Sequence, residues 1–218
     1  TIKVTDAPKG LSAFVERYMA KEKTEHNIFK CHYKEGAAWE KAYEIFVDIK
    51  EVLNNGTRFG YFWDRFKHVI NQYIPANTIY IIQLNDEDSK AMCKKALELI
   101  PNEIVAKIEV IEYNKLAEID LTGKAGSVVV LCSCLVRGKN LLYISKAIRD
   151  YETLSVNYII GLSRTKNDES WRFIKSNLTQ GKYGGATSTF AEIECFFIDD
   201  NNLNSSWTAE MEFLKSAI

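Results

Sequence analysis

Apolar residues along this chain follow two different periods, one before Pro75 and one after it. From Leu11 to Glu22, Leu11, Phe14, Val15, Tyr18 and Met19 recur at helical spacing with charged residues between them, which predicts an amphipathic helix. A longer run from about Glu35 to Asn55 sets Trp39, Tyr43, Phe46, Ile49 and Leu53 on one stripe. Gly56 stands just past its end, where a left-handed cap suits a residue without Cβ. Between Tyr61 and Tyr73 a third stripe carries Trp63, Phe66, Ile70 and Tyr73, and Pro75 closes it. Residues 1–75 therefore read as a helical cap region.

Beyond Pro75 short β-branched and aromatic runs alternate with helical patterns. TIYIIQL (78–84) predicts a strand, and the polar stretch Asn85 to Ser89 leads into a helix ending at Leu99, with Asp86 or Asp88 placed to cap it. Ile104 to Tyr113 is a strand candidate, followed by a polar loop with Gly123 and Gly126. SVVVLC (127–132), a helix from Gly138 to Asp150, SVNYIIGLS (155–163) and a helix over Asp168 to Leu178 come next. The glycine loop QGKYGG (180–185), TFAEIECFFI (189–198) and a helix after Ser205 complete the chain. Such alternation implies βαβ units, and VVVL and YIIGL are apolar on both faces, as covered central strands should be. The expected architecture is α/β: a mostly parallel sheet flanked by helices over residues 76–218, preceded by the N-terminal helical cap.

Composition narrows the class. With 218 residues, 46% of them hydrophobic and 12% aromatic, the chain can bury one substantial core, or a core plus a small cap. The 28 Lys+Arg against 29 Asp+Glu leave no excess to coat a polyanion, so nucleic acid is not the expected partner. No apolar run approaches a membrane span, and no leader pattern opens the sequence. The five cysteines, Cys31, Cys93, Cys132, Cys134 and Cys195, are odd in number and contain no CxxC pair. A reduced, cytoplasmic setting is expected.

Ser127 to Leu142, SVVVLCSCLVRGKNLL, is the segment richest in chemistry. A buried strand ends in a turn holding Val136, Arg137, Gly138, Lys139 and Asn140, where a helix begins. Such a turn offers backbone N–H groups at the positive end of a helix dipole, with two cations beside them, a combination suited to phosphate. An ordinary turn with solvated cations reads the same way. From Ser133 to Gly185 the charge balance is basic, and the remaining residues are acidic. Arg137, Lys139, Arg164 and Lys166, with Lys182 from the glycine loop, would then form a basic mouth at one sheet edge, and Tyr183 would offer a stacking face.

The order of elements from Thr78 to about Ile198 resembles the type I phosphoribosyltransferase family. That family's signature is an apolar strand, two acidic residues, two variable ones, then Thr-Thr-Gly-x-Thr opening a helix. Laid on this chain without a gap, the strand is Val128 to Leu131, the acidic pair falls on Cys132 and Ser133, and the phosphate loop falls on Val136 to Asn140, with Gly138 identical. The resemblance implies a loop holding the 5-phosphate of a phosphorylated ribose, with Cys132 and Ser133 near the sugar. It also marks a departure, because neither residue supplies the carboxylates that place the Mg²⁺-pyrophosphate substrate. The stretch expected to hold pyrophosphate, QLNDEDS (83–89), carries Asp86, Glu87 and Asp88, which repel an anion. The expected ligand is thus a ribose phosphate or nucleotide, bound without ordinary transfer. No cofactor is certain, and Mg²⁺ enters only for an active enzyme in which Asp86 and Asp88 hold it. A different reading is an interaction or scaffold module that pairs with itself or another chain through Trp39, Tyr43, Trp63 and Phe66.

Overall fold

The computed structural model describes residues 10–22, 25–35, 41–180 and 188–198, and for 31–35 and 41–45 the backbone alone. The chain begins with helix α1 (Leu11–Tyr18), an antiparallel pair of strands β1 (Phe29–Glu35) and β2 (Lys41–Val47), and helices α2 (Ile49–Asn54) and α3 (Gly60–Tyr73). Then come β3 (Thr78–Gln83), α4 (Glu87–Leu99), α5 (Asn102–Val105), β4 (Glu109–Glu112) and a 3-10 turn over Tyr113–Glu118. β5 (Gly126–Leu135), α6 (Lys139–Ile148), β6 (Leu154–Thr165), α7 (Asp168–Thr179) and β7 (Ser188–Phe197) follow.

Five parallel strands form one sheet in the order β4-β3-β5-β6-β7. Its central strands are buried on both faces, as their unbroken apolar runs predict. On one face Ile81, Val129, Leu131, Ile159 and Ile193 pack with Phe14, Tyr18, Phe62, Phe66 and Met92 from the N-terminal helices and α4. On the other, Val128, Val130, Tyr158 and Ile160 pack with Leu141, Ile144 and Ile148 of α6 and Ile174 and Leu178 of α7. Residues of the N-terminal region and of the sheet therefore share a single apolar cluster. α1 is fastened by a buried polar contact as well. The Tyr18 hydroxyl donates to Glu194 Oε1 on β7 at 2.7 Å, and Arg17 Nη1 reaches the same oxygen at 2.9 Å.

The alternation of faces reverses near the carboxyl end of the sheet. On β6, Ile159 faces the first cluster and Ile160 the second, yet Leu162 lies in the first. β5 and β7 change at the same level, and the ladder omits the steps Ser133–Gly161 and Gly161–Ile193. A Cβ on Gly161 would sit 2.6 Å from the Ser133 carbonyl oxygen, so only glycine fits the approach. Side chains serve the backbone groups at this level: Ser89 Oγ accepts the Ser133 N–H at 2.9 Å, and Arg65 Nε donates to the Ile193 carbonyl at 2.7 Å.

Two sequence expectations need correction. One helix over 35–55 was expected, but β2 and α2 occupy residues 41–54 of it. Tyr43, Ile45 and Val47 also satisfy a period of two, and Asp48 starts a new helix by accepting the Glu51 N–H at 2.9 Å. The strand expected over 104–113 shrinks to Glu109–Glu112, because Pro101 leads into the short helix α5, which takes Ile104 and Val105. The expected helix after Ser205 and most of the loop QGKYGG lie outside the described residues.

Candidate functional site

The carboxyl ends of the parallel strands present three turns that lead into helices, and their chemistry differs. Asp86 caps α4 by accepting the Ser89 N–H at 2.8 Å, with Glu87 and Asp88 in the first turn. Asn167 caps α7 by accepting the Ser170 N–H at 2.8 Å, with Asp168 and Glu169 in its first turn. α6 has neither device: its cap is Gly138, no side chain bonds its first N–H groups, and no acidic residue stands in its first turn. The positive end of its dipole is therefore left uncompensated by the chain's own carboxylates at that turn.

Gly138 adopts φ 69° and ψ 7°, the left-handed conformation that lets the chain reverse from β5 into α6. It is buried against α7, and a Cβ there would stand 2.9 Å from Ile174 Cγ2. Around it Arg137, Lys139 and Asn140 are exposed and Val136 is half-buried. Among the described residues neither Arg137 nor Lys139 forms an ion pair. The turn is thus open, cationic and unspent.

Two hollows flank it and share Val136 and Arg137. The smaller, about 270 Å³, lies between Leu84, Cys132 and Cys134 on one side and Arg137 to Leu141 on the other. The larger, about 740 Å³, opens between α6 and α7 and is lined by Arg137, Arg164, Lys166, Asn167, Ser170 and Phe173, with Glu169 its only carboxylate among the described residues. Arg164 was expected to project at the mouth beside Arg137. It instead lines the larger hollow as a buried residue, 2% exposed, while Lys166 is exposed. Asn167, Ser170 and Phe173 were not singled out in the sequence. The pattern Asn-Asp-Glu-Ser, an N-cap with an acidic first turn, is the signal that marks their position.

Cys132 and Ser133 stand where the resemblance places two carboxylates. Cys132 is buried, its thiol donates to the Cys134 carbonyl at 3.3 Å, and burial, with smaller contributions from Cys134 and Asp86, pushes its pKa well above the usual thiol range. The Ser133 hydroxyl donates to Asp86 Oδ1 at 2.8 Å. Asp86 Oδ2 accepts the Ser89 hydroxyl, also at 2.8 Å, so the cap of α4 is tied directly to the end of β5. Asp88 turns elsewhere: buried, it accepts the Lys50 N–H of α2 at 3.3 Å. Desolvation, followed by the neighbouring Asp48, pushes its carboxyl up to about 6. Of the two carboxylates weighed for Mg²⁺, Asp86 is exposed and accepts from Ser89 and Ser133, while Asp88 is buried against α2. Among the described residues no three His, Cys, Asp or Glu side chains gather in a metal-binding group. Lys182 and Tyr183 lie outside the described residues.

No family model matches the sequence, and no curated protein matches it. Solved structures do match in shape. The adenine phosphoribosyl transferase of Trypanosoma brucei, solved with AMP, pyrophosphate and ribose-5-phosphate, superposes with a TM-score of 0.50 over 80% of this chain and 79% of its own, at 12% identity. The fold is that of the type I phosphoribosyltransferases. The UMP synthase of Leishmania donovani matches at 12% identity over 82% of this chain and 36% of its own, with a TM-score of 0.46. The orotate phosphoribosyltransferase of Aeropyrum pernix matches at 13% identity over 76% and 86%, with a TM-score of 0.45.

Within this phosphoribosyltransferase-like frame the aromatic residues considered for an association face are divided. Phe66 is fully buried, and Trp63 packs partly buried on the core with its ring edge-on to Phe66. Trp39 and the side chain of Tyr43 lie outside the described residues. No helix among the described residues is long and apolar enough to cross a membrane.

Proposed function

We propose that this protein binds a small phosphorylated ligand, a ribose phosphate or a nucleotide, at the turn Val136–Asn140, and does not carry out ordinary phosphoribosyl transfer. The observation that carries this reading is the amino end of α6, the one among α4, α6 and α7 with no side-chain cap and no acid in its first turn. It lies beside two exposed cations at the end of a central strand. A phosphate there accepts from the backbone N–H groups that open α6, while Arg137 and Lys139 neutralise its charge. Gly138 permits the left-handed conformation from which the chain enters α6. The larger hollow beside the turn has the volume of a nucleotide-sized ligand.

The absence of transfer rests on the residues around the turn. Cys132 and Ser133 bring no charge to the sugar, and Asp86 is held as a helix cap beside Glu87 at the place where a pyrophosphate would need donors. The decisive experiment titrates ribose 5-phosphate and nucleoside monophosphates into the protein by calorimetry. Binding is expected in the wild type and is lost in Arg137→Ala plus Lys139→Ala. Because both side chains are exposed and without ion pairs among the described residues, that variant should unfold within about 0.5 kcal/mol of the wild type. No binding in the wild type, or equal binding in the variant, rejects the site.

A further inference from the structure

We propose that residues 199–218 of this chain dock on α7 across the larger hollow, with an apolar stripe seated on Phe173 and acidic residues set against the cations there. The inference goes beyond the phosphate-binding reading and does not depend on it. Phe173 is 66% exposed, more than any other large apolar side chain among the described residues. It lines the larger hollow, about 740 Å³, together with Leu142, Ile174 and Ile198. It also lines a second hollow of about 700 Å³ along α7, with Arg172, Ser176 and Asn177. α7 is anchored to the sheet by Trp171, Ile174 and Leu178, so the open ring of Phe173 adds nothing to the core and is surface left for another segment to cover.

The course of the chain and the charges decide the occupant. Ile198 lines the same hollow, and its N–H donates to the Thr165 carbonyl at 2.9 Å, so residue 199 starts from the hollow's rim. In residues 199–218, DDNNLNSSWTAEMEFLKSAI, the side chains of Trp207, Met211, Leu214 and Ile218 recur at i, i+4, i+7 and i+11, one stripe of a helix. Asp199, Asp200, Glu210 and Glu212 stand against the single cation Lys215. The hollow has the opposite balance: Arg137, Arg164 and Lys166 line it with Glu169, and the nearby Asp168 is paired with Arg172 at 2.6 Å. Apolar and charged features therefore complement each other across the same face. Reach is ample, because residues 199–206 extend to about 26 Å at about 3.3 Å each. The whole of α7, 12 residues, is only about 18 Å long. A tether this short holds the stripe at an effective concentration in the millimolar range, ahead of a second copy or a separate protein in dilute solution. A ligand that extended from the 136–140 turn into the larger hollow would compete with this segment.

Hydrogen exchange read by mass spectrometry on the full chain tests the contact. Amides of residues 207–218 are expected to exchange at least about tenfold more slowly than an unprotected peptide, whatever the protein concentration. Phe173→Asp puts a carboxylate on the seat at an exposed position, where the fold tolerates it. It should return residues 207–218 to within about threefold of unprotected exchange and leave residues 141–148 of α6 unchanged. Fast exchange of 207–218 in the wild type overturns the inference. Slow exchange that survives Phe173→Asp does so as well, since the segment then rests elsewhere. Protection that grows with protein concentration assigns the seat to a second copy and also overturns it. A paired-cysteine measurement stands apart from Phe173. Ser176 is exposed one turn along α7, so Ser176→Cys with Met211→Cys should form an intrachain disulfide on mild oxidation. Tyr143→Cys with Met211→Cys should not, because Tyr143 stands on α6 against Tyr113 and lines neither hollow beside Phe173. Equal yields from the two pairs, or an interchain bond in the first, refute the docking.

Discussion

Replacing Gly138 by alanine separates two physical costs that the turn carries together. Its φ of 69° lies in the left-handed region, where a residue with a Cβ is disfavoured by about 1–2 kcal/mol. The added Cβ also meets Ile174 Cγ2 at 2.9 Å and Cδ1 and Cγ1 at 3.4 Å. Ile174 is β-branched and sits on a helix, where one χ1 rotamer dominates, so its methyl does not simply swing away. Relieving that overlap adds about 1 kcal/mol or more. Gly138→Ala is therefore expected to cost about 2–3 kcal/mol, or about 5–10 °C in Tm for a chain of this size. Gly123 supplies the control: its φ is 70°, and an added Cβ there meets nothing within 4 Å, so Gly123→Ala pays the backbone cost alone. Urea unfolding of both variants with unchanged m-values gives the steric share as the difference. A Gly138→Ala protein as stable as the wild type, or no less stable than Gly123→Ala, refutes this account of the turn. The same variant should bind ribose 5-phosphate more weakly, because the N–H groups that open α6 move with it.

Other consequences are open to measurement. The raised pKa of Asp88, about 6 against 3.8 in an unfolded chain, means that the folded protein holds this proton more tightly. Stability from that source is fully present below about pH 4 and is lost as pH rises through 6. Asp88→Asn, which keeps an acceptor for the Lys50 N–H, should be more stable than the wild type at pH 7.5 by on the order of 1 kcal/mol, a gain that shrinks as pH falls through 6 and disappears below about pH 4 in urea melts. Glu194→Ala leaves the Tyr18 hydroxyl without its acceptor and should cost about 2–3 kcal/mol, with faster hydrogen exchange across residues 11–18; Tyr18→Phe should cost about 1 kcal/mol. Gly161→Ala forces a Cβ into the Ser133 carbonyl at 2.6 Å, which a backbone cannot yield cheaply, so a loss of about 2 kcal/mol or more is expected by the same assay.

How far the sequence foretold these features depends on whether their cause is local. The strands at 78–84, 155–163 and 189–198 and the helices after Asp86 and Gly138 are written in runs, caps and glycines a few residues apart, and the structure places them within a residue or two. The 35–55 region was ambiguous because its apolar residues satisfy both a helical and an alternating period, and only pairing with Phe29–Glu35 decides between them. At the site the same division holds. Gly138 and its cations are visible as a turn between a strand and a helix. The burial of Arg164 is not, since a cation at a strand end reads as exposed unless the neighbouring strand and helix are known. Nor is the partnership of Asp86 with Ser133, which joins positions 47 residues apart. From the sequence, three acids before a helix look like an obstacle to any anion. In the fold they part company: Asp88 turns to α2, while Asp86 serves α4 and braces the end of β5. That separation divides a run of like charges among three tasks: Asp86 ties the cap of α4 to β5, Glu87 pairs with Lys90 at 3.2 Å on the surface, and Asp88 holds α2 against α4.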